Sequence, residues 1–110
     1  MKGTVYIVDD YPINLFILRE YLKNEYIVKT FSNGEECLNE VKREVPDIVL
    51  MDFNSPLEIV HTLKKNYPSV RLMGITASQD MGYESESSTE CMERVMIKPL
   101  SKPELMKCLS

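Results

Sequence analysis

Thr4-Val5-Tyr6-Ile7-Val8-Asp9-Asp10-Tyr11-Pro12 begins with five β-favouring residues, turns abruptly to two acids, and reaches a proline two residues later. A near-continuous apolar run of this kind, stopped by turn formers and followed at once by helix-period sequence, reads as a strand buried on both faces. Similar runs recur at Tyr26–Phe31, Asp47–Met51, Val70–Ile75 and Arg94–Ile97, and helix-period stretches lie near 12–23, 34–44, 56–66, 79–90 and 102–109. Repeated strand-then-helix units imply a parallel sheet covered on both sides. Right-handed crossovers then produce a three-layer, doubly wound α/β fold.

At 110 residues the chain is expected to form one domain, residues 1–110, with no separate output or sensor module and no internal repeat or linker. The 13 Lys and Arg against 17 Asp and Glu, with no basic run longer than Lys42-Arg43 or Lys64-Lys65, argue against direct nucleic-acid contact. Apolar runs such as Ile48-Val49-Leu50-Met51 fall far short of the roughly 18 residues needed to cross a bilayer, so a cytoplasmic domain is expected. Cys37, Cys91 and Cys108 show neither a disulfide framework nor zinc-ligand spacing. Cys37 and Cys108 read as core thiols, and Cys91 is unassigned.

Several helix starts are encoded locally. Ser32, Ser55 and Ser101 each precede a glutamate by three residues (Glu35, Glu58 and Glu104), the spacing of a capping box. Pro56 follows Ser55 at a first helical position, where its missing N–H leaves nothing unsatisfied. The third helix is therefore expected only about four residues after Asp52. In the first helix, Ile13, Leu15, Ile17, Leu18, Tyr21 and Leu22 spread over a wide arc that should face the sheet. Phe16 falls on the polar side, as one exposed aromatic or else a partner contact, and Asn14 sits inside the apolar arc, where it needs a hydrogen-bond partner.

The segment 79–90 is poor in apolar residues and holds Gly82 and three serines, so its helix should be short or frayed. Asp80, Glu84, Glu86 and Glu90 carry the whole excess of −4, because the other 13 acids balance the 13 bases. That places an acidic face on one segment of an otherwise neutral chain. His61, the one histidine, reads as a solvated helix residue, and the seven methionines read as core filler with Met81 exposed.

Ligands of a doubly wound sheet bind beyond the carboxyl ends of its strands. Those ends hold Asp9-Asp10, Asp52, Thr76 and Lys98-Pro99. Each has an ordinary reading: a turn and cap before Pro12, a strand-end cap, a packed threonine, a solvated lysine. Their coincidence at four strand ends of one sheet favours a site. Three carboxylates brought together require a neutralising cation, and an all-oxygen set without His or Cys suits Mg²⁺. Thr76 and Lys98 are a hydroxyl donor and a point charge suited to a phosphoryl group beside the metal. An aspartate between metal and lysine can accept that group covalently.

Asp9-Asp10, Leu50-Met51-Asp52 with Pro56, Ile75-Thr76-Ala77 and Lys98-Pro99, in this order, resemble the receiver domain of two-component response regulators. Asp9-Asp10 with Asn14, and Met96-Ile97-Lys98-Pro99-Leu100, resemble especially the receivers of hybrid sensor histidine kinases and phosphorelays. The resemblance spans essentially the whole chain and implies the flavodoxin-like (βα)5 sandwich with strand order 2-1-3-4-5. It implies Asp52 as phosphoacceptor, charged by the phosphohistidine of a histidine kinase or histidine phosphotransfer domain. It also implies Mg²⁺ held by Asp10 directly, by Asp9 largely through water, by Asp52 and by the backbone carbonyl of Asn54. Thr76 and Lys98 would contact the phosphoryl oxygens, the bond before Pro99 would be cis, and Asn54 and Ser78 would tune hydrolysis. Such a domain catalyses its own phosphoryl transfer and slow self-dephosphorylation rather than turning over an external substrate, and its oligomeric state, monomer or dimer, is left open.

Three departures from the family pattern stand out. The loop after Asp52 is about four residues short, which should bring the N-terminus of the next helix near the acceptor. Val95 stands where an aromatic switch residue is usual, so the usual threonine–aromatic relay cannot operate. The glycine that commonly precedes the fifth strand is missing, with Cys91 near its place. Val95, the short loop and the polar segment 79–90 motivate a second reading, a degenerate receiver acting only as an interaction module. A haloacid-dehalogenase-type phosphatase would need a second acid where Asn54 stands, and a flavin carrier would find Asp9-Asp10 repelling its phosphate.

Overall fold

The structure is a computed structural model that describes residues 2–52, 57–76, 92–97 and 100–110. Five parallel strands, β1 (Thr4–Val8), β2 (Ile27–Phe31), β3 (Ile48–Asp52), β4 (Arg71–Thr76) and β5 (Arg94–Ile97), pair in the order β2-β1-β3-β4-β5. The described helices are α1 (Pro12–Leu22), α2 (Gly34–Arg43), α3 (Leu57–Asn66) and α4 (Lys102–Leu109). The expected architecture and strand order are observed. Strand limits shift by a single residue at β2, β3 and β4. The helix expected over 79–90, with its acidic face, lies outside the described residues.

The two-residue alternation of the strands sorts the core into two layers. Tyr6, Val8, Val49, Met51 and Leu72 point to one side, where Cys37 and Val41 of α2 and Ile59, Val60 and Leu63 of α3 cover them. Val5, Ile7, Ile48, Leu50, Met73 and Ile75 point to the other, under Leu18 and Leu22 of α1 and Leu105 and Leu109 of α4. In register, Val5 faces Ile48 and Ile7 faces Leu50, so each layer is continuous across the sheet. Met51, Met73, Met92 and Met96 are buried, as expected of core filler.

Three local expectations need correction. The cap of α2 is Asn33, whose side chain accepts from the Glu36 N–H at 2.9 Å, one residue later than the Ser32–Glu35 pairing. Ser32 and Asn33 both precede a glutamate by three residues, and the helix starts at Gly34, which selects the second. The capping box at Ser101 and Glu104 is present as expected, whereas Ser55 lies outside the described residues. Ile13 and Ile17 do not join the buried arc of α1: they are exposed, beside Phe16. Asn14 accordingly lies half-buried at the rim rather than under the helix. Cys37 is fully buried, but Cys108 is only partly covered.

Tyr6 is a polar anchor inside the first layer. Its ring packs on Phe31, with centroids 5.2 Å apart, and its hydroxyl donates to the Glu44 carbonyl at 2.7 Å. Lys29 lies 5.9 Å from the ring centroid and bridges Glu40 and Glu44 at 2.7 and 3.3 Å. A buried phenol needs such a partner, and this one ties the end of α2 to β1.

Candidate functional site

The strands are parallel, so all five carboxyl ends lie at one edge of the sheet. Val8 pairs with Met51, which sets Asp9 and Asp10 beside Asp52, the last residue of β3. Asp52 pairs with Ile75, and the following Thr76 pairs with Ile97 at the end of β5. Thr76 therefore stands at the same edge by its backbone. Lys98, Asn54, Ser78 and the bond before Pro99 lie outside the described residues.

Asp9, Asp10 and Asp52 each bring a carboxylate oxygen within 4.8 Å of the other two. Their environments differ: Asp9 is 2% exposed, Asp52 is half-buried and Asp10 is open to solvent. The Asp9 N–H donates to the Phe31 carbonyl, so the ladder continues past β1, and one Asp9 carboxylate oxygen accepts from the Tyr11 N–H at 3.0 Å. The turn reading of Asp9 and the site reading thus hold together, because the same bond that shapes the approach to α1 fixes the carboxylate. α1 itself starts with Pro12 and has no side-chain cap at Tyr11.

Three anionic groups this close repel one another unless a cation lies between them. Two oxygens bound to one Mg²⁺ lie no more than about 4.2 Å apart, twice the usual bond length. A set within 4.8 Å therefore fits a hard divalent ion held by direct and water-bridged carboxylates, and the donors are all oxygen, as such an ion requires. His61, exposed on α3, is not part of this group.

A family model, the response regulator receiver domain, matches residues 5–110. The chain belongs to that family. Among relatives of this receiver domain, the sensor histidine kinase RcsC of Salmonella typhi is 30% identical over 110 residues, which cover 96% of this chain and 11% of the kinase. The chain thus spans about a tenth of the length of that relative. Among solved structures, the response regulator protein TrrA of Thermotoga maritima, in complex with Mg²⁺ and a beryllium fluoride, superposes with a TM-score of 0.85 at 27% identity, covering 99% of this chain and 96% of the other. The beryllofluoride-activated receiver domain of DrrB matches equally well, with a TM-score of 0.85, 27% identity, and 99% and 95% coverage. Receiver domains act as phosphoacceptors of two-component signalling, and an acidic pocket that can hold a metal ion is present here in Asp9, Asp10 and Asp52.

Two further features of this receiver lie beyond the carboxylate cluster. Tyr11, Ile13, Phe16 and Ile17 form an exposed apolar strip that starts beside the acidic pocket. Next to it, Pro12, Leu15, Phe16, Arg19 and Thr30 line a groove of about 270 Å³ between α1 and β2. The second feature concerns Val95, which is partly buried on the α2–α3 side of the sheet opposite Gly74. A Cβ on Gly74 would fall 2.5 Å from the Met92 sulfur, so Met92, not a large side chain at 95, fills the space over this part of β4.

Proposed function

We propose that residues 1–110 form one receiver domain phosphorylated on Asp52. The observation that carries this reading is the carboxylate cluster at the strand ends, with Asp52 half-buried between a covered and an open aspartate. An Asp52 carboxylate oxygen attacks the phosphorus of a phosphohistidine; the P–N bond breaks, the imidazole leaves and takes up a proton, and an acyl phosphate remains on Asp52. Asp10 and Asp52, Asp9 largely through water, and the Asn54 carbonyl would hold Mg²⁺, which would supply charge neutralisation for the phosphoryl oxygens. Thr76 and Lys98 would contribute a hydroxyl and an ammonium to the phosphoryl oxygens. Asp9 acts as a positioning residue, its carboxylate fixed by the Tyr11 N–H.

The donor is a histidine kinase or a histidine phosphotransfer domain, and the domain catalyses its own phosphorylation and slow self-dephosphorylation without an external substrate. The apolar strip of α1 supports such a donor, because it would seat an amphipathic helix within reach of Asp52. Direct nucleic-acid binding is not part of this reading, given the net charge of −4. No described helix is long and apolar enough to cross a membrane; the buried free thiol of Cys37 suits a reducing cytoplasm. Val95 removes the usual aromatic relay, so output differs from the usual one or is weak.

Incubation with acetyl phosphate and Mg²⁺ followed by intact mass tests the reading. A single phosphoryl adduct, abolished by EDTA and by Asp52→Asn, is expected. An absent adduct would favour the degenerate interaction module, and an adduct that survives in Asp52→Asn would move the acceptor to another residue.

A further inference from the structure

β5 is the outer strand of the sheet, only four residues long, and Lys98 follows it directly in the sequence. Its register on β4 decides where that lysine stands, because Ile97 pairs with Thr76 at the end of the ladder. The sequence of β5 does little to fix this register. Val95, Met96 and Ile97 are all apolar, so a slip of one residue exchanges one apolar side chain for another over most of the strand. Such a slip would move position 98 by about 3.3 Å along the sheet and reverse its face, out of hydrogen-bond reach of a group bound beside Thr76.

The residues just before the strand supply what its sequence lacks. The Glu93 N–H donates to the Leu72 carbonyl at 2.7 Å, and the Glu93 carboxylate accepts two bonds from Arg71, at 3.0 and 2.6 Å. The backbone at Glu93 is thus level with the start of β4. Met92 nevertheless reaches Gly74, two residues beyond Leu72: a Cβ on Gly74 would fall 2.5 Å from the Met92 sulfur, 3.4 Å from its methyl carbon and 3.5 Å from Val95 Cγ2. No side chain fits at such a distance, so position 74 admits only glycine while Met92 is in place. Glycine weakens a strand, and inside one it marks a close approach by another group; here that group is the buried Met92 thioether. Gly74 and Thr76 share one face of β4, which puts this socket two residues below the threonine at the carboxyl edge.

We propose that Gly74 and Met92 are a socket and pin that fix the register of β5 and so position Lys98, with Thr76, for the phosphoryl group. Both are positioning residues, and neither touches the group itself. The inference rests on Asp52 being the phosphoacceptor. It divides the site in two: the carboxylates come from the ends of β1 and β3, whose pairing does not involve the pin, whereas the phosphoryl contacts come from the ends of β4 and β5.

NMR titration of Gly74→Ala, Met92→Ala and the double variant, with Mg²⁺ first and then with beryllofluoride at saturating Mg²⁺, tests this. Met92→Ala removes the pin and should weaken beryllofluoride binding about threefold, and Gly74→Ala, which expels Met92 from its socket, about tenfold, the scale of an overpacked core contact. The double variant has nothing to expel and should return to the Met92→Ala level. Mg²⁺ affinity should stay at the wild-type value throughout. Met92→Ala and the double variant decide the matter even where Gly74→Ala does not fold. Wild-type beryllofluoride affinity in Met92→Ala, a double variant weaker than Gly74→Ala, or a parallel loss of Mg²⁺ affinity in Met92→Ala would overturn the proposal, the last by showing a general packing role. Wild-type protein that binds Mg²⁺ but no beryllofluoride would instead overturn the phosphoacceptor reading on which it rests.

Discussion

Asp9, Cys37 and Tyr6 are all buried, and each burial has a different chemical consequence. For Asp9, burial beside the Tyr11 N–H fixes a carboxylate that is useful only if a cation compensates it. For Cys37, burial pushes the thiol up to about 12, so the nucleophilic thiolate is scarce at neutral pH. Alkylation of native protein by iodoacetamide at pH 8 should label Cys108 readily and Cys37 only at the rate of unfolding; equal labelling would contradict the packing. For Tyr6, burial raises the phenol first, with Lys29 opposing, and the hydroxyl finds the Glu44 carbonyl. Tyr6→Phe should cost about 1 kcal/mol in urea unfolding without altering phosphorylation. The carboxylates were readable in the sequence because strand ends of a parallel sheet converge whatever the details of packing. The partner of Tyr6 was not, since a tyrosine in an apolar run signals only that its hydroxyl must be satisfied somewhere.

Helix ends show how far local signals reach. Ser32 and Asn33 offer the same spacing to Glu35 and Glu36, and only the start of α2 at Gly34 distinguishes them. Asn33→Ala should destabilise by about 1 kcal/mol, whereas Ser32→Ala should stay within about 0.5 kcal/mol of wild type; the reverse order, measured by thermal or urea unfolding, would restore the earlier cap. In α1 the ambiguity is rotational. Apolar residues cover most of its circumference, so periodicity does not say which arc meets the sheet, and Ile13 and Ile17 end up outside with Phe16. Phe16→Asp should slow phosphotransfer from a histidine kinase that charges the domain by about thirtyfold, the scale of an aromatic anchor, while leaving acetyl phosphate labelling unchanged. Equal rates with the kinase would remove α1 from the docking face. The Arg71–Glu93–Leu109 contact joins residues with no shared local motif, which is why it leaves no trace in the sequence.

Across the whole molecule, charge and topology act separately. The Arg71 guanidinium holds the Glu93 carboxyl below its usual range, with smaller contributions from Arg94 and Lys64. A lowered carboxylate pKa stabilises the fold above the unfolded value, and that contribution disappears as pH falls through the folded one. The stability gap between wild type and Glu93→Gln should therefore be full at neutral pH and close only below the ordinary carboxylate range; a gap that closes between pH 6 and 8 would point to another group. Topology, by contrast, brings Asp9, Asp10 and Asp52 to one edge, and the central claim is that Asp52 takes the phosphoryl group there. The direct measurement is to label the domain with acetyl phosphate and Mg²⁺, reduce the acyl phosphate with borohydride and map the modified residue by peptide mass spectrometry. Modification at Asp52 that depends on Mg²⁺ is the predicted result. Modification confined to another residue, or equal labelling without Mg²⁺, would contradict it.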